Sequence, residues 1–232
     1  MELTVACVKW GDKFDVSYVN KLYRAVEKNL TLPHRFVCLT DDPSWLDAGI
    51  APYLFKHELE YCWNKLNVFD FTLKGTVLYF DLDVLITGNL DGLVKYKPEF
   101  NFVGIHDWLR DYTFNSSVFR FNASFPYTYV VTRFLRDVEE GRLVKKKEFD
   151  HYLNAHEKVV YWEDNKRYAG DQEWITDAVY PNGELHKYSW PESWCLSYRK
   201  HGRVENNTKV LVFHGEPKPH DIPNDPLVRH YW

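Results

Sequence analysis

Methionine is nearly missing from this 232-residue chain, which has one, and cysteine is scarce, with four. Cys7, Cys38, Cys62 and Cys195 show no CxxC spacing, and the first two fall inside apolar runs that read as buried strands. A disulfide framework is therefore not expected, and the thiols read as the reduced ones of a cytoplasmic protein. No apolar stretch approaches the roughly 18 residues needed to span a bilayer, so no transmembrane segment is expected. The N-terminus, Met1-Glu2-Leu3-Thr4, lacks a basic region followed by an apolar signal core and runs straight into a strand. Positive charge has no excess: 29 Lys and Arg stand against 33 Asp and Glu, a net charge of −4. That balance excludes a general nucleic-acid partner. The one basic run, Lys145-Lys146-Lys147, reads as a solvated helix face. Internal repeats, low-complexity stretches and domain linkers are missing too. What remains is one sizeable core in a single domain over 1–232. It is rich in aromatics (17%), most of them packing residues and a few available to stack on sugars.

Strands and helices alternate along the chain. Thr4 to Val8 is a continuous apolar run, the pattern of a strand buried on both faces. Val19, Leu22, Tyr23, Val26 and Leu30 keep helical spacing, with a start near Asp15 or Ser17 and a stop at Pro33. Arg35 to Leu39 forms a second strand, so a parallel pair with a right-handed crossover is expected. A third short strand is expected over Tyr53–Lys56, a helix over Tyr61–Phe69, and a strand from Thr76 to Phe80. Phe102–Ile105 and Phe114–Phe121 read as strands, and Tyr127 to Val138 as a helix entered at Ser124 and Pro126. The charged, aromatic segment 141–170 reads as a partly helical insertion near the acceptor side of a site. Asp171–Tyr180 reads as a short helix, and Lys209–Phe213 as the last strand. The tail over 216–232, with four prolines, reads as irregular. The fold class is α/β, with a mostly parallel sheet flanked by helices.

In such sheets ligands gather at the carboxyl ends of the strands. The strand ending Leu78-Tyr79-Phe80 delivers Asp81 and Asp83, one residue apart, to that edge. Two carboxylates so close repel unless a cation or a shared proton lies between them. Hard oxygen ligands of this kind suit magnesium or manganese. Two activities fit the pair: a metal-dependent transferase acting on a nucleotide sugar, and a haloacid-dehalogenase-like phosphohydrolase with Asp81 as nucleophile. The phosphohydrolase fold normally begins with this strand, whereas 75 residues precede Thr76 here, and no later strand ends in Asp-Asp. A third reading, a non-catalytic carbohydrate-binding protein, rests on the aromatic content.

Val77 to Ile86, followed by Asn89-Leu90-Asp91-Gly92-Leu93, resembles the centre of glycosyltransferase family 8, the glycogenin and bacterial lipooligosaccharide galactosyltransferase type. Four further segments match in order: Trp63-Asn64-Lys65-Leu66, Phe114-Asn115-Ser116-Ser117-Val118, Asp171-Gln172, and His214-Gly215-Glu216-Pro217-Lys218-Pro219. Ser117 stands where that family usually has Gly, and the His214-to-Lys218 interval is shorter than in its best-known members.

The resemblance implies the GT-A fold, a Rossmann-like, mixed but mostly parallel sheet, and a retaining transfer of a hexose from a UDP-sugar to a carbohydrate, lipid-linked or protein acceptor. In that scheme Asp81, Asp83 and His214 hold Mn²⁺, with Mg²⁺ as the alternative, and Lys218 and Lys65 lie at the donor. Asn115, Ser116, Asp171 and Gln172 meet the sugar, Asp171 being also a candidate helix N-cap. Val8, Lys9 and Trp10 take the base, and the backbone of Leu82 takes the ribose.

Overall fold

All seven residues of the first apolar run, Leu3–Lys9 (β1), are buried, as a strand covered on both faces requires. The computed structural model describes residues 2–70, 73–150, 156–180 and 185–232. Helix α1 (Val16–Asn29) follows, N-capped by Asp15, whose side chain accepts from the Ser17 amide at 2.7 Å. β2 (Arg35–Thr40) pairs parallel with β1, Cys7 opposite Cys38, as the crossover pattern requires. The third strand, β3 (Ile50–Leu54), begins three residues earlier than expected. Its start is set by parallel pairing of Ile50 with Phe36, and it is an edge strand, where Pro52 is tolerated.

Tyr61–Asp70 is helical, but as a 3-10 helix rather than an α-helix. Three residues per turn put Trp63, Leu66 and Phe69 on one buried edge, and Tyr61, Asn64, Asn67 and Asp70 on another. Side-chain amides reinforce that spacing: Asn64 donates to the Tyr61 carbonyl at 3.2 Å and Asn67 to that of Asn64 at 3.1 Å. Gly75, at φ +70°, turns the chain into β4 (Thr76–Phe80). A Cβ at Gly75 would stand 2.3 Å from the Glu2 carbonyl oxygen, so only glycine fits.

β5 (Val84–Ile86), α2 (Asp91–Lys95), β6 (Phe102–His106), β7 (Phe114–Asn122) and α3 (Tyr129–Glu139) come next. The insertion corrects the sequence reading. It is an antiparallel meander, β8 (Val144–Asp150), β9 (His156–Glu163) and β10 (Lys166–Tyr168), rather than part helix. Val159, Val160, Tyr161 and Trp162 are strong strand formers, and the two-residue turn Asp164-Asn165, with Asp164 at φ +51°, closes the β9–β10 hairpin. Lys145–Lys147 therefore sit on a strand, not a helix face; residues 151–155 lie outside the described residues.

α4 (Asp171–Val179), β11 (Cys195–Ser197), α5 (Tyr198–His201) and β12 (Val210–Val212) complete the body. The tail is also more regular than expected. Asp225 caps α6 (Pro226–Tyr231), accepting from the amides of Leu227 and Val228, with Pro226 at the first helical position.

The central sheet has six strands in the order β3-β2-β1-β4-β7-β6. β7 runs antiparallel to both neighbours, and the other five share one direction. Side chains alternate between two cores. Val5, Cys7, Leu78 and Phe80 pack with α1 on one face; Ala6, Val8, Val77 and Tyr79 pack with the 3-10 helix, α3 and α4 on the other. A small sheet, β11-β12-β5, extends the chain beyond β4. No described helix is long and apolar enough to cross a membrane.

Candidate functional site

The parallel strands end on one edge, and antiparallel β7 begins there. That edge gathers the carboxyl ends of β1, β4 and β6 with the amino end of β7. Lys65 reaches it from the buried face of the 3-10 helix, with 8% of its side chain exposed. Its ammonium lies 2.9 Å from Asp81 Oδ1, 2.9 Å from Asp171 Oδ2 and 3.0 Å from Ser116 Oγ. Ser116 Oγ in turn donates to Asp171 Oδ2 at 2.6 Å, and the Tyr79 hydroxyl donates to Asp81 Oδ1 at 2.8 Å. One buried cation thus ties Asp81, Ser116 and Asp171, from three separate segments of the chain.

The electrostatics follow from that packing. Burial alone works against the Lys65 ammonium, but Asp171 and Asp81 more than offset it, and its pKa is raised. Asp81 is also raised: burial pushes it up and the neighbouring Asp83 and Asp171 add to this, against the pull of Lys65. Cys62, beside Asp171, has its thiol pushed up to about 12 by burial and by that carboxylate.

A second cluster lies beside the first. β12 pairs antiparallel with β5, Val212 opposite Val84, and the Phe213 amide donates to the Asp83 carbonyl at 3.0 Å. This ladder brings His214, from the far end of the chain, up to the Asp81-Leu82-Asp83 turn. Lys218, with 7% of its side chain exposed, places its ammonium 2.5 Å from Asp83 Oδ2 and 2.9 Å from the Phe213 carbonyl. The His214 ring stacks on Trp108 (centroids 5.5 Å apart, 16° between planes), with Nε2 2.6 Å from Ser197 Oγ. Its pKa is lowered, first by burial and further by Arg199 and Lys218, with Asp107 and Asp83 opposing.

Among the described residues, no group of three or more His, Cys, Asp or Glu side chains is drawn together around a metal position. Asp81 is taken by Lys65, Asp83 by Lys218 and His214 by Ser197. Gln172 bridges two elements: its Nε2 donates to Asp107 Oδ2 at 2.9 Å and to Thr113 Oγ1 at 3.2 Å. Asn115 is buried with its Oδ1 accepting from the Ser117 amide at 3.0 Å. Gly170, not Asp171, is the N-cap of α4; Asp171 is its first residue, which leaves the carboxylate to Lys65 and Ser116.

Val8, Lys9 and Trp10 occupy a separate corner at the end of β1. Lys9 Nζ turns back to the Gly11 carbonyl at 3.0 Å, Asp41 accepts from the Gly11 amide at 2.7 Å, and Trp10 packs edge-on against Tyr61 at 5.7 Å. Leu82 is buried in the α1-side core. Sequence reasoning missed Asp107, Trp108, Tyr79 and Cys62. Asp107-Trp108 directly follows β6 (Phe102–His106), so the strand-end rule that singled out Asp81 also points there. A cleft of about 350 Å³ opens beside Asp107, lined in part by His106, Trp108, Asp111, Trp190 and Glu192. Among the described residues, none from 141–170 lines it.

No protein-family model matches the sequence, and no curated protein matches it. Solved structures do. A galactosyltransferase LgtC in complex with donor and acceptor sugar analogs is 14% identical, covers 97% of this chain and 93% of its own, and has a TM-score of 0.60. An active-site mutant of LgtC gives 15% identity, coverage of 93% and 89%, and a TM-score of 0.61. The glycosyltransferase GlyE of Streptococcus pneumoniae TIGR4 reaches a TM-score of 0.64 at 14% identity; this chain, covered to 94%, spans 56% of that one. The fold is the GT-A fold that these glycosyltransferases share, as the motif resemblance implies.

Proposed function

We propose that this protein is a metal-dependent glycosyltransferase that moves a hexose from a UDP-sugar to a carbohydrate, lipid-linked or protein acceptor, with retention of configuration. The observation that carries the reading is the convergence on one sheet edge of Lys65, Asp81, Asp83, Asp171, Gln172, His214 and Lys218. A nucleotide-sugar diphosphate needs positive charge at its phosphates and hydrogen-bonding groups at its sugar, and this edge has both.

The donor set fits manganese: two carboxylates and one imidazole, the last favouring manganese over magnesium. The Lys218 ammonium against Asp83 marks a seat for a cation beside that carboxylate. Asp81, Asp83 and His214 would hold the ion, which when bound supplies Lewis-acid stabilisation of the departing diphosphate. Lys218, a compact charge on a phosphate-sized arm, leaves Asp83 to contact a phosphate oxygen. Lys65 keeps Asp171 directed at the sugar while balancing Asp81. Asn115, Ser116 and Gln172 offer donors and acceptors for sugar hydroxyls. Val8, Lys9 and Trp10 flank the base, and the backbone of Leu82 meets the ribose.

Asp81 is poorly placed as the nucleophile of a phosphohydrolase, since Lys65 contacts both of its oxygens and Tyr79 holds one. A binding module has no use for buried lysine–carboxylate clusters at this edge. The test is hydrolysis of UDP-glucose, UDP-galactose and UDP-N-acetylglucosamine by the purified protein, with manganese and with EDTA. Slow release of UDP from at least one donor, lost with EDTA, is expected; no turnover or binding of any of them with any divalent metal overturns the reading.

A further inference from the structure

Two apolar side chains stand in solvent beside the candidate site: Leu109 is 67% exposed and Tyr112 is 70% exposed. Both belong to the loop joining β6 to β7, and that loop is firmly held. Asp107 Oδ1 accepts from the amides of Leu109 and Arg110, each at 2.8 Å. The Asp107 amide donates to the Thr113 carbonyl at 3.1 Å, the Thr113 amide to that of Arg110 at 3.2 Å, and Arg110 pairs with Glu173 on α4. The loop root therefore touches the site, through Asp107 on Gln172 and Trp108 on His214, while its tip presents Leu109 and Tyr112. Asp107, Trp108 and Asp111 of the same loop wall the cleft of about 350 Å³. That is the small end of the range for ligand sites, about 300–1,000 Å³.

We propose that this loop selects the acceptor, and that Tyr112 is a platform for the group attached to the sugar that enters the cleft. The proposal rests on the transferase reading and narrows its acceptor to a glycoside carrying a second ring, either another sugar or an apolar aglycone. A cleft of this size takes one hexose unit, and the exposed Tyr112 ring, one residue on from the cleft-lining Asp111, offers a flat face to the next one. Continuity with Asp107 and the cleft favours this occupant over a second protein chain, for which two side chains are too small a patch.

The test is calorimetric titration of methyl and p-nitrophenyl glycosides of glucose and galactose, both anomers, into wild type, Tyr112→Ala and Tyr112→Phe, with and without UDP and manganese. Wild type and Tyr112→Phe are expected to bind one p-nitrophenyl glycoside at least about threefold more tightly than its methyl counterpart, and Tyr112→Ala to lose that preference. Because Tyr112 is exposed, the alanine variant is expected to fold, which circular dichroism checks. The proposal is overturned if no glycoside binds wild type or if Tyr112→Ala keeps the preference. Failure of UDP itself to bind wild type speaks instead against the nucleotide-sugar reading.

Discussion

Lys65 is the residue on which the site's charge balance turns. It is a buried ammonium facing two buried carboxylates, Asp81 and Asp171, and a serine hydroxyl. Removing the cation from such an arrangement leaves uncompensated negative charge, which costs about 3–5 kcal/mol for a buried pair. Lys65→Met is therefore expected to lose stability of that order in urea unfolding at pH 7, while Lys65→Arg keeps most of it. The deficit should shrink at pH 4, where the uncovered carboxylates can take up a proton. An unchanged urea midpoint in Lys65→Met would show that the lysine is not needed to offset the charge of these carboxylates. The motif resemblance placed Lys65 at the donor, but nothing in the sequence settled whether it faced solvent or the sheet. That was decided by period-three packing of Trp63, Leu66 and Phe69, which turns the intervening residues toward the sheet edge. Tyr79 was hidden for the opposite reason: in an apolar strand its ring reads as core, and only the hydroxyl, aimed at Asp81, has a polar task.

At the scale of elements, the α3–β8 junction depends on one acid. Asp137, buried near the end of α3, accepts from Arg133 at 3.2 Å, Arg136 at 3.3 Å and Arg142 at 3.0 Å, and its carbonyl takes the Leu143 amide at 2.8 Å. Burial pushes its pKa up, but hydrogen bonds and charge from Arg142, with help from Arg133 and Arg136, hold it below the ordinary 3.8. A depressed carboxylate contributes stability that is present above the unfolded pKa and is lost as pH falls through the folded one. Asp137→Asn should therefore melt lower than wild type at pH 7, by a few degrees for about 1 kcal/mol. The gap should narrow below about pH 4. A gap of equal size at pH 7 and pH 3 would contradict this. The meander that Asp137 anchors was not legible because its lysines masked the alternation, and its partners lie within the segment itself. α6 was legible, through Asp225-Pro226, but the four prolines around it weighed more heavily than the cap.

At the scale of the molecule, most of the architecture was readable. Buried strands alternating with amphipathic helices predict a parallel sheet, and the strand-end rule locates the edge where Asp81 and Asp83 lie. Local pattern did not show which distant segments reach that edge; the motif resemblance implied them. β12 pairing with β5 delivers His214 and Lys218, and antiparallel β7 presents Ser116 at the amino end of its strand rather than the carboxyl end. Long-range pairings of this kind leave no local periodicity. The central claim is that Asp83, with Asp81 and His214, holds a metal ion that binds the nucleotide diphosphate. Its most direct test is calorimetric titration of UDP into wild type and Asp83→Ala, with manganese and with EDTA. The account predicts UDP binding to wild type that depends on manganese and is abolished in a still-folded Asp83→Ala. Equal UDP affinity in the two proteins, or in wild type with and without manganese, would contradict it.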